Sequence, residues 1–292
     1  MTIGWGVIGC GGIAKRRTIP EGILKAKNGR LVAVMDAVKA AAEDVGRKTG
    51  ARVYPNEAEL LRDQGVAAVY IATPTNCHAR QAILAARAGK HVLCEKPMAL
   101  SLVDARRIMK ACRKAKVKLS FGFMMRYHGL HRKIREVVKA GALGKMVMGR
   151  AQLTCWYPPI PGAWRQNPIQ GGGGSLADMG THCLDLLEMF LGPIVEVQCF
   201  TGRLVQGYKS EDTAVALFRH ESGALGVIDN HFNVPDAAVE NVLELYGSKG
   251  GTSCPTGRGA PGLHPRARSP APSPRPAPYI ASSAAASGRR EA

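Results

Sequence analysis

The chain has 292 residues, 46% of them apolar, enough for two cored domains, yet no run approaches the roughly 20 consecutive apolar residues that a membrane helix needs. Its formal charge of +18 would ordinarily point to nucleic acid, but residues 251–292 carry +5 of it and the rest is scattered over helix faces such as Arg106-Arg107 and Arg113-Lys114. A solvated surface and an anionic small ligand fit that distribution, so neither a nucleic-acid nor a membrane partner is expected. The eight cysteines contain no C-x-x-C pair, and no basic and apolar leader precedes the first apolar run. Reduced thiols, no zinc knuckle and a cytoplasmic location are the expectation.

In chain order, strands are predicted at Ile3–Ile8, Leu31–Asp36, Arg52–Tyr54, Ala67–Ala72, His91–Cys94 and Lys118–Phe121, alternating with helices at 13–27, 37–48, 56–63, 75–88 and 101–116. Near-continuous apolar strands separated by helices signal a parallel sheet covered on both faces, an α/β unit over residues 1–120. Asn56 with Glu59 and Ser101 with Asp104 read as helix starts, and Gly89 as a helix end.

From 121 the texture changes to a helix at 127–140, a Gly141-x-x-Gly144 turn, a strand at 145–157, a Pro- and Gly-rich loop, a helix at 175–191, and strands near 194–206, 212–219, 223–232 and 239–246. Short connections such as Glu221-Ser222-Gly223 imply antiparallel pairing, hence a separate α+β domain over 121–250. Residues 251–292 turn into Pro, Arg, Ala, Ser and Gly without periodicity, and are predicted to be a disordered tail.

Gly9-Cys10-Gly11-Gly12-Ile13-Ala14 forms a G-x-G-x-x-A turn between the first strand and helix, and Asp36 lies 22 residues past Ala14 at the end of the second strand. There Gly9 can make the tight turn, Gly11 lets backbone approach a pyrophosphate, Ala14 permits close helix packing, and Asp36 can accept from an adenosine ribose. The competing reading is an ordinary βαβ turn with Asp36 as a helix cap. Cys94-Glu95-Lys96-Pro97 and Thr73-Pro74, with Asn76 and His78, fall on the carboxyl edge of the same sheet, where a ligand would bind. They could equally be a strand end and a helix cap. Behind four glycines, Gly171 to Gly174, lie Asp178, His182 and Asp185, which helical spacing places on one face. A histidine beside a carboxylate suits proton transfer. A structural His–Asp pair and a metal site are the alternatives, although no further ligand motif supports a metal and none is predicted.

Together these motifs resemble the Gfo/Idh/MocA family of NAD(P)-dependent oxidoreductases. The match runs through G-C-G-G-I-A, A-T-P-T-N-C-H, A-G-K-H-V-L-C-E-K-P, F-G-F-M-M-R-Y, G-A-L-G-K and W-R-Q-N-P-I-Q-G-G-G-G-S-L-A-D-M-G-T-H-C-L-D to about Gly250. The resemblance implies a Rossmann domain followed by a domain on a large, mainly antiparallel open sheet that often serves oligomerisation, and hydride transfer between nicotinamide and a secondary alcohol or ketone of a sugar, cyclitol or related polyol. It implies Lys96, Asp178 and His182 as catalytic residues, with His182 as base, Lys96 polarising the reacting oxygen and Asp178 fixing a neighbouring hydroxyl or His182 itself. Arg126, Trp164 and Arg165 correspond to segments lining the family's active-site mouth, beside the loop Trp156–Gly162. Asp36 followed by Ala37 favours NAD, while Arg16 and Lys39 leave NADP open. Relatives continue past Gly-Ser-Lys-Gly with further strands, whereas this tail has the composition of a shifted reading frame in a GC-rich gene. The expected sheet is therefore incomplete, with an open edge, and a homo-oligomer is expected only if it is complete. A non-catalytic NAD-binding sensor or inactive truncated homologue is the alternative function.

Overall fold

Short apolar strands, each followed by a helix, give the first half of the chain its layers. A computed structural model describes residues 2–238, 241–255 and 264–266. Its first sheet has six parallel strands, β1 (Ile3–Ile8), β2 (Gly29–Met35), β3 (Arg52–Val53), β4 (Ala68–Ile71), β5 (His91–Cys94) and β6 (Leu119–Phe121), in the order β3-β2-β1-β4-β5-β6. The order reverses between β1 and β4, and a crevice opens there at the carboxyl ends of the strands. Both faces are covered. Val7, Val34 and Tyr70 pack with Ala42 and Val45 of helix α1 (Lys39–Thr49) on one side, and Ile8, Val69 and Ile71 with Leu60, Ala82 and Ile108 on the other.

The connection after β1 departs from the ordinary helix expected at 13–27. Residues Ala14–Gly22 form a π-helical segment with Pro20 inside it, followed by a 3₁₀ turn at Ile23–Lys25. A proline has no N–H for the i→i−4 ladder, and a wider turn is one way to carry the chain past it. The remaining helices of this half are α2 (Glu57–Arg62), α3 (Thr75–Arg87) and α4 (Leu102–Lys114).

Local capping follows the sequence. Asn56 Oδ1 accepts from Glu59 N at 2.9 Å while its amide donates to Glu59 Oε1 at 2.7 Å, and Ser101 Oγ accepts from Asp104 N at 3.1 Å. Asn56→Ala leaves the first turn of α2 without its acceptor, and a loss of about 1 kcal/mol in chemical denaturation is expected; an unchanged midpoint and slope would contradict it.

The second half builds on a seven-stranded sheet among the described residues. Its strands are β7 (Met146–Gln152), β8 (Ile194–Gly202), β9 (Thr213–His220), β10 (Leu225–His231), β11 (Val242–Gly247), β12 (Gly250–Pro255) and β13 (His264–Arg266), in the order β13-β12-β11-β7-β10-β9-β8. All pairs are antiparallel except β10 with β7. Helices α5 (Gly129–Lys139), α6 (Pro168–Gly171) and α7 (Thr181–Leu191) belong to this half, and α7 buries Leu186, Leu187, Phe190 and Leu191 against one face of the sheet. A Cβ on Gly149 would stand 2.9 Å from Leu187 Cδ2 and 3.0 Å from Leu191 Cδ1, so this position has to be small for α7 to seat. Among the described residues nothing covers the opposite face, and Phe200, Leu217 and Leu225 are exposed on it.

The tail expected to begin at Gly251 starts too early. Residues Leu243 to Gly247 pair with Gly250 to Cys254 across a tight turn, and Gly251 to Ser253 pair again with His264 to Arg266. Cys254 is buried against the second core, and Thr252 is also buried. Composition hid this because a backbone ladder asks little of side chains at a sheet edge. The rest of the predicted tail, 256–263 and 267–292, lies outside the described residues.

Candidate active site

The crevice at the strand reversal holds a cavity of about 460 Å³. Gly9, Gly11, Gly12 and Ile13 form one wall, Met35, Asp36 and Ala37 a second, and Thr73, Pro74, Glu95 and Lys96 a third. Gly9 has φ +95°, and a Cβ there would stand 2.7 Å from the Ala72 carbonyl oxygen, so only glycine fits. Gly11 and Gly12 are different: a Cβ on either would project into open space, which leaves their backbone bare for a ligand. Asp36 locks this turn, its Oδ2 accepting from Cys10 N at 2.6 Å and its Oδ1 from Val38 N at 2.8 Å.

Not every expected cofactor residue faces the cavity. Ala14 is fully buried in the core beneath the turn, in the packing role expected of it. Neither Asn76 nor His78 lines the cavity. His78 is fully buried, its ring nitrogens each 2.9 Å from the carbonyls of Thr73 and Pro97. It ties the loop after β4 to the loop after β5, and burial lowers its pKa against the pull of the two carbonyls. Glu95 is held from below, its Oε1 accepting from Tyr70 Oη at 2.5 Å while Thr18 Oγ1 donates to the same Oη at 3.0 Å.

Lys96 joins the two halves. Its ammonium donates to Asp178 Oδ1 at 2.6 Å and to the Asp178 carbonyl at 2.7 Å, and Arg165 Nε donates to the same Oδ1 at 3.1 Å. Burial alone would raise the Asp178 pKa, but Lys96 and Arg165 outweigh it and hold the carboxyl down at about 2. Arg165 lies over the Trp164 ring at 4.2 Å, and both side chains line the cavity. His182 is 8% exposed, with Phe123 edge-on at 6.2 Å. Burial and the Lys96 charge push its pKa down to about 4 against the opposing effect of Asp178. Its Nδ1 is buried without a partner, and Nε2 makes no hydrogen bond among the described residues.

Asp178 and Asp185, expected to share a face with His182, take different partners. Asp185 is claimed by Arg126, whose Nε donates to its two carboxylate oxygens at 2.7 and 2.6 Å, which takes Arg126 away from the cavity wall. Asp178 sits in a π-helical turn, Leu176–Gly180, ahead of α7, while His182 and Asp185 lie within α7 itself. Among the described residues no group of three or more His, Cys, Asp and Glu side chains is arranged to hold a metal ion.

Several supports were invisible in the pattern. Glu211 accepts from Gly174 N at 2.7 Å and Leu176 N at 3.1 Å, fixing the start of the segment that carries Asp178. Asp212 accepts from the N–H groups of Leu204, Val205 and Gln206, which hold its pKa at about 2 against burial. The loop Trp156–Gly162 is pinned by Gln166, which donates to Pro158 O at 2.7 Å and accepts from Ile160 N at 2.9 Å. Glu57, Cys77, Arg80 and Gln81 also line the cavity. Their spacing carries no motif, and only the packing of α2 and α3 brings them together.

Residues 3–123 match the model of an oxidoreductase family with an NAD-binding Rossmann fold, and residues 131–253 the GFO/IDH/MocA C-terminal domain. The chain belongs to the Gfo/Idh/MocA oxidoreductase family. It is 33% identical over 252 residues to 1,5-anhydro-D-fructose reductase of Ensifer adhaerens, covering 84% of this chain and 74% of that protein. It is 34% identical over 251 residues to myo-inositol 2-dehydrogenase of Thermotoga maritima, with coverage of 84% and 73%. Among solved structures it resembles the WlbA dehydrogenase from Bordetella pertussis in complex with NADH and UDP-GlcNAcA, at 29% identity and a TM-score of 0.81 over 86% of this chain and 73% of that one. This Gfo/Idh/MocA member therefore has the two-domain fold of an NAD-binding oxidoreductase, and the bare backbone of Gly11 and Gly12 beside Asp36 fits a dinucleotide. Among the described residues no helix is long and apolar enough to cross a membrane.

Proposed function

We propose that this chain interconverts a secondary alcohol and a ketone on a sugar, cyclitol or related polyol, with Lys96, Asp178 and His182 as the catalytic group and NAD as cofactor. The observation that carries the proposal is Lys96, which lines the dinucleotide cavity and at the same time grips Asp178 at 2.6 Å. Bound NAD supplies the hydride acceptor or donor. An ammonium has three N–H donors, and Asp178 takes two of those on Lys96, which leaves one for the reacting oxygen. That contact would favour the negative charge that develops as the hydroxyl loses its proton. His182 is neutral at ordinary pH because its pKa lies at about 4, so its free Nε2 can take that proton. Asp178, pinned by Lys96 and Arg165, orients the ammonium. Trp164 and Arg165 line the same cavity beside this group.

The relatives named above are enzymes, which favours this reading over a non-catalytic sensor. The free cysteines suit a reducing compartment such as the cytoplasm. The exposed Phe200, Leu217 and Leu225 on the open sheet face suit self-association. A panel of polyols and keto sugars followed at the NADH absorbance tests the activity, and absence of turnover on every polyol and sugar would overturn it.

Cofactor choice is a separate expectation. Asp36 is fixed beside Ala37 at the ribose end of the cavity, so a 2′-phosphate would meet a carboxylate. NAD should bind at least about tenfold more tightly than NADP, and Asp36→Ser with Ala37→Arg should reverse the order. Equal dissociation constants in the parent chain would remove this assignment.

A further inference from the structure

The cavity does not end at Asp36. Beyond it stand Glu57, at the first turn of α2, and Arg80, on α3, and both line the wall. The Glu57 side chain is only 13% exposed, and its Oε1 is paired with an Arg80 guanidinium nitrogen. Its Oε2 has no partner among the described residues. A carboxylate this sheltered, with one oxygen tied and the other free into a cavity, is an acceptor waiting for a donor.

The order of the strands whose carboxyl ends carry these residues, β5, β4, β1, β2 and then β3 leading into α2, says which donor. Lys96 and Glu95 stand at the end of the cavity nearest the catalytic group, Gly9 to Ile13 at the pyrophosphate turn, and Asp36 at the carboxyl end of β2 where the adenosine ribose would lie. Past that ribose only the purine remains. We infer that Glu57, held by Arg80, reads the adenine base of the dinucleotide by accepting a hydrogen bond from its exocyclic amino group. The inference rests on the dinucleotide reading above and goes beyond it, because Asp36 and the glycine turn would meet only ribose and phosphate and so cannot tell one base from another. An amino group gives the carboxylate a donor. A carbonyl oxygen at the same ring position would set acceptor against acceptor, and a charged acceptor left facing another acceptor is costly.

The test compares NAD with nicotinamide hypoxanthine dinucleotide, in which a carbonyl oxygen replaces that amino group and the adjacent ring nitrogen gains a hydrogen. Equilibrium titration calorimetry on the full chain gives both dissociation constants without turnover. The parent chain should prefer NAD by about 10–100-fold, the size expected for one hydrogen bond to a charged group. Glu57→Gln, whose amide can donate to the carbonyl, should bring the two constants to within about threefold. Glu57→Ala, which removes the acceptor, should do the same if the glutamine perturbs packing. Asp36→Asn should weaken both dinucleotides and leave their ratio unchanged. A parent chain that binds NAD without preferring it, a Glu57→Gln ratio equal to the parental one, or a ratio that Asp36→Asn moves as far as Glu57→Gln, each overturns the assignment to Glu57 alone. A parent chain that binds neither dinucleotide overturns this inference together with the cofactor reading.

Discussion

Replacing His182 with alanine is expected to lower kcat by about 10²–10⁴-fold and to leave the NAD dissociation constant within about twofold, because the proton acceptor is lost while the dinucleotide cavity is untouched. The structure also gives this residue an unusual working range. Burial and Lys96 disfavour the imidazolium, so the ring stays neutral until the pH falls to about 4. Alcohol oxidation needs the neutral ring, so kcat/KM for oxidation should hold its plateau down through the pH range where an ordinary histidine, near 6.5, would already have lost it. Ketone reduction needs the protonated ring, and its rate should climb as the pH falls toward 4. The pH profile of the parent chain and steady-state kinetics of His182→Ala check both statements. Near-parental turnover in the variant, or an acid limb at ordinary histidine pH, would move the base to another residue, with Lys96 the next candidate.

Much of this arrangement is legible in the sequence, and what is not has a physical reason. The strand, Gly-rich turn, helix and Asp36 are contiguous or nearly so, and local rules connect them, so β1, β2 and the turn appear within a residue or two of their expected places. The same holds for the Asn56 and Ser101 caps, where donor and acceptor are three residues apart. The catalytic trio needed the motif context as well, since Lys96 and Asp178 are 82 residues apart and no periodicity links them. Local periodicity could not name the partner of Asp185, because Arg126, which takes the carboxylate, is 59 residues away in sequence. Parallel pairing of β7 with β10 was hidden for a related reason: short turns announce hairpins, whereas a parallel neighbour arrives through a long connection that leaves no local mark. Glu57 and Arg80 were passed over because an acid and a base on successive helices look like solvated surface until packing turns them toward one cavity.

Lys96→Met should separate the two jobs that this lysine performs. Removing one partner of a fully buried ion pair costs about 3–5 kcal/mol, but Lys96 and Asp178 keep 10% and 19% exposure, so a loss of about 1–3 kcal/mol is expected here. Arg165 stays on the carboxylate at 3.1 Å and limits the damage further. With Lys96 gone the Asp178 pKa should rise from about 2 toward its ordinary 3.8, since burial then faces Arg165 alone. The sign follows from the depressed value. The pair's contribution to stability is complete above about pH 4 and fades as the pH falls toward 2, so the difference between parent and variant should be largest near neutrality and shrink in acid. Adding Asp178→Asn to Lys96→Met removes the uncompensated charge and should restore most of the lost stability in denaturant titrations. Turnover should behave differently: the loss of an N–H aimed at the reacting oxygen is worth about 10²–10³-fold in kcat, and no repair of packing returns it. A double variant that regains turnover along with stability would make Lys96 a strut between the two halves, and the polarising role would then belong elsewhere.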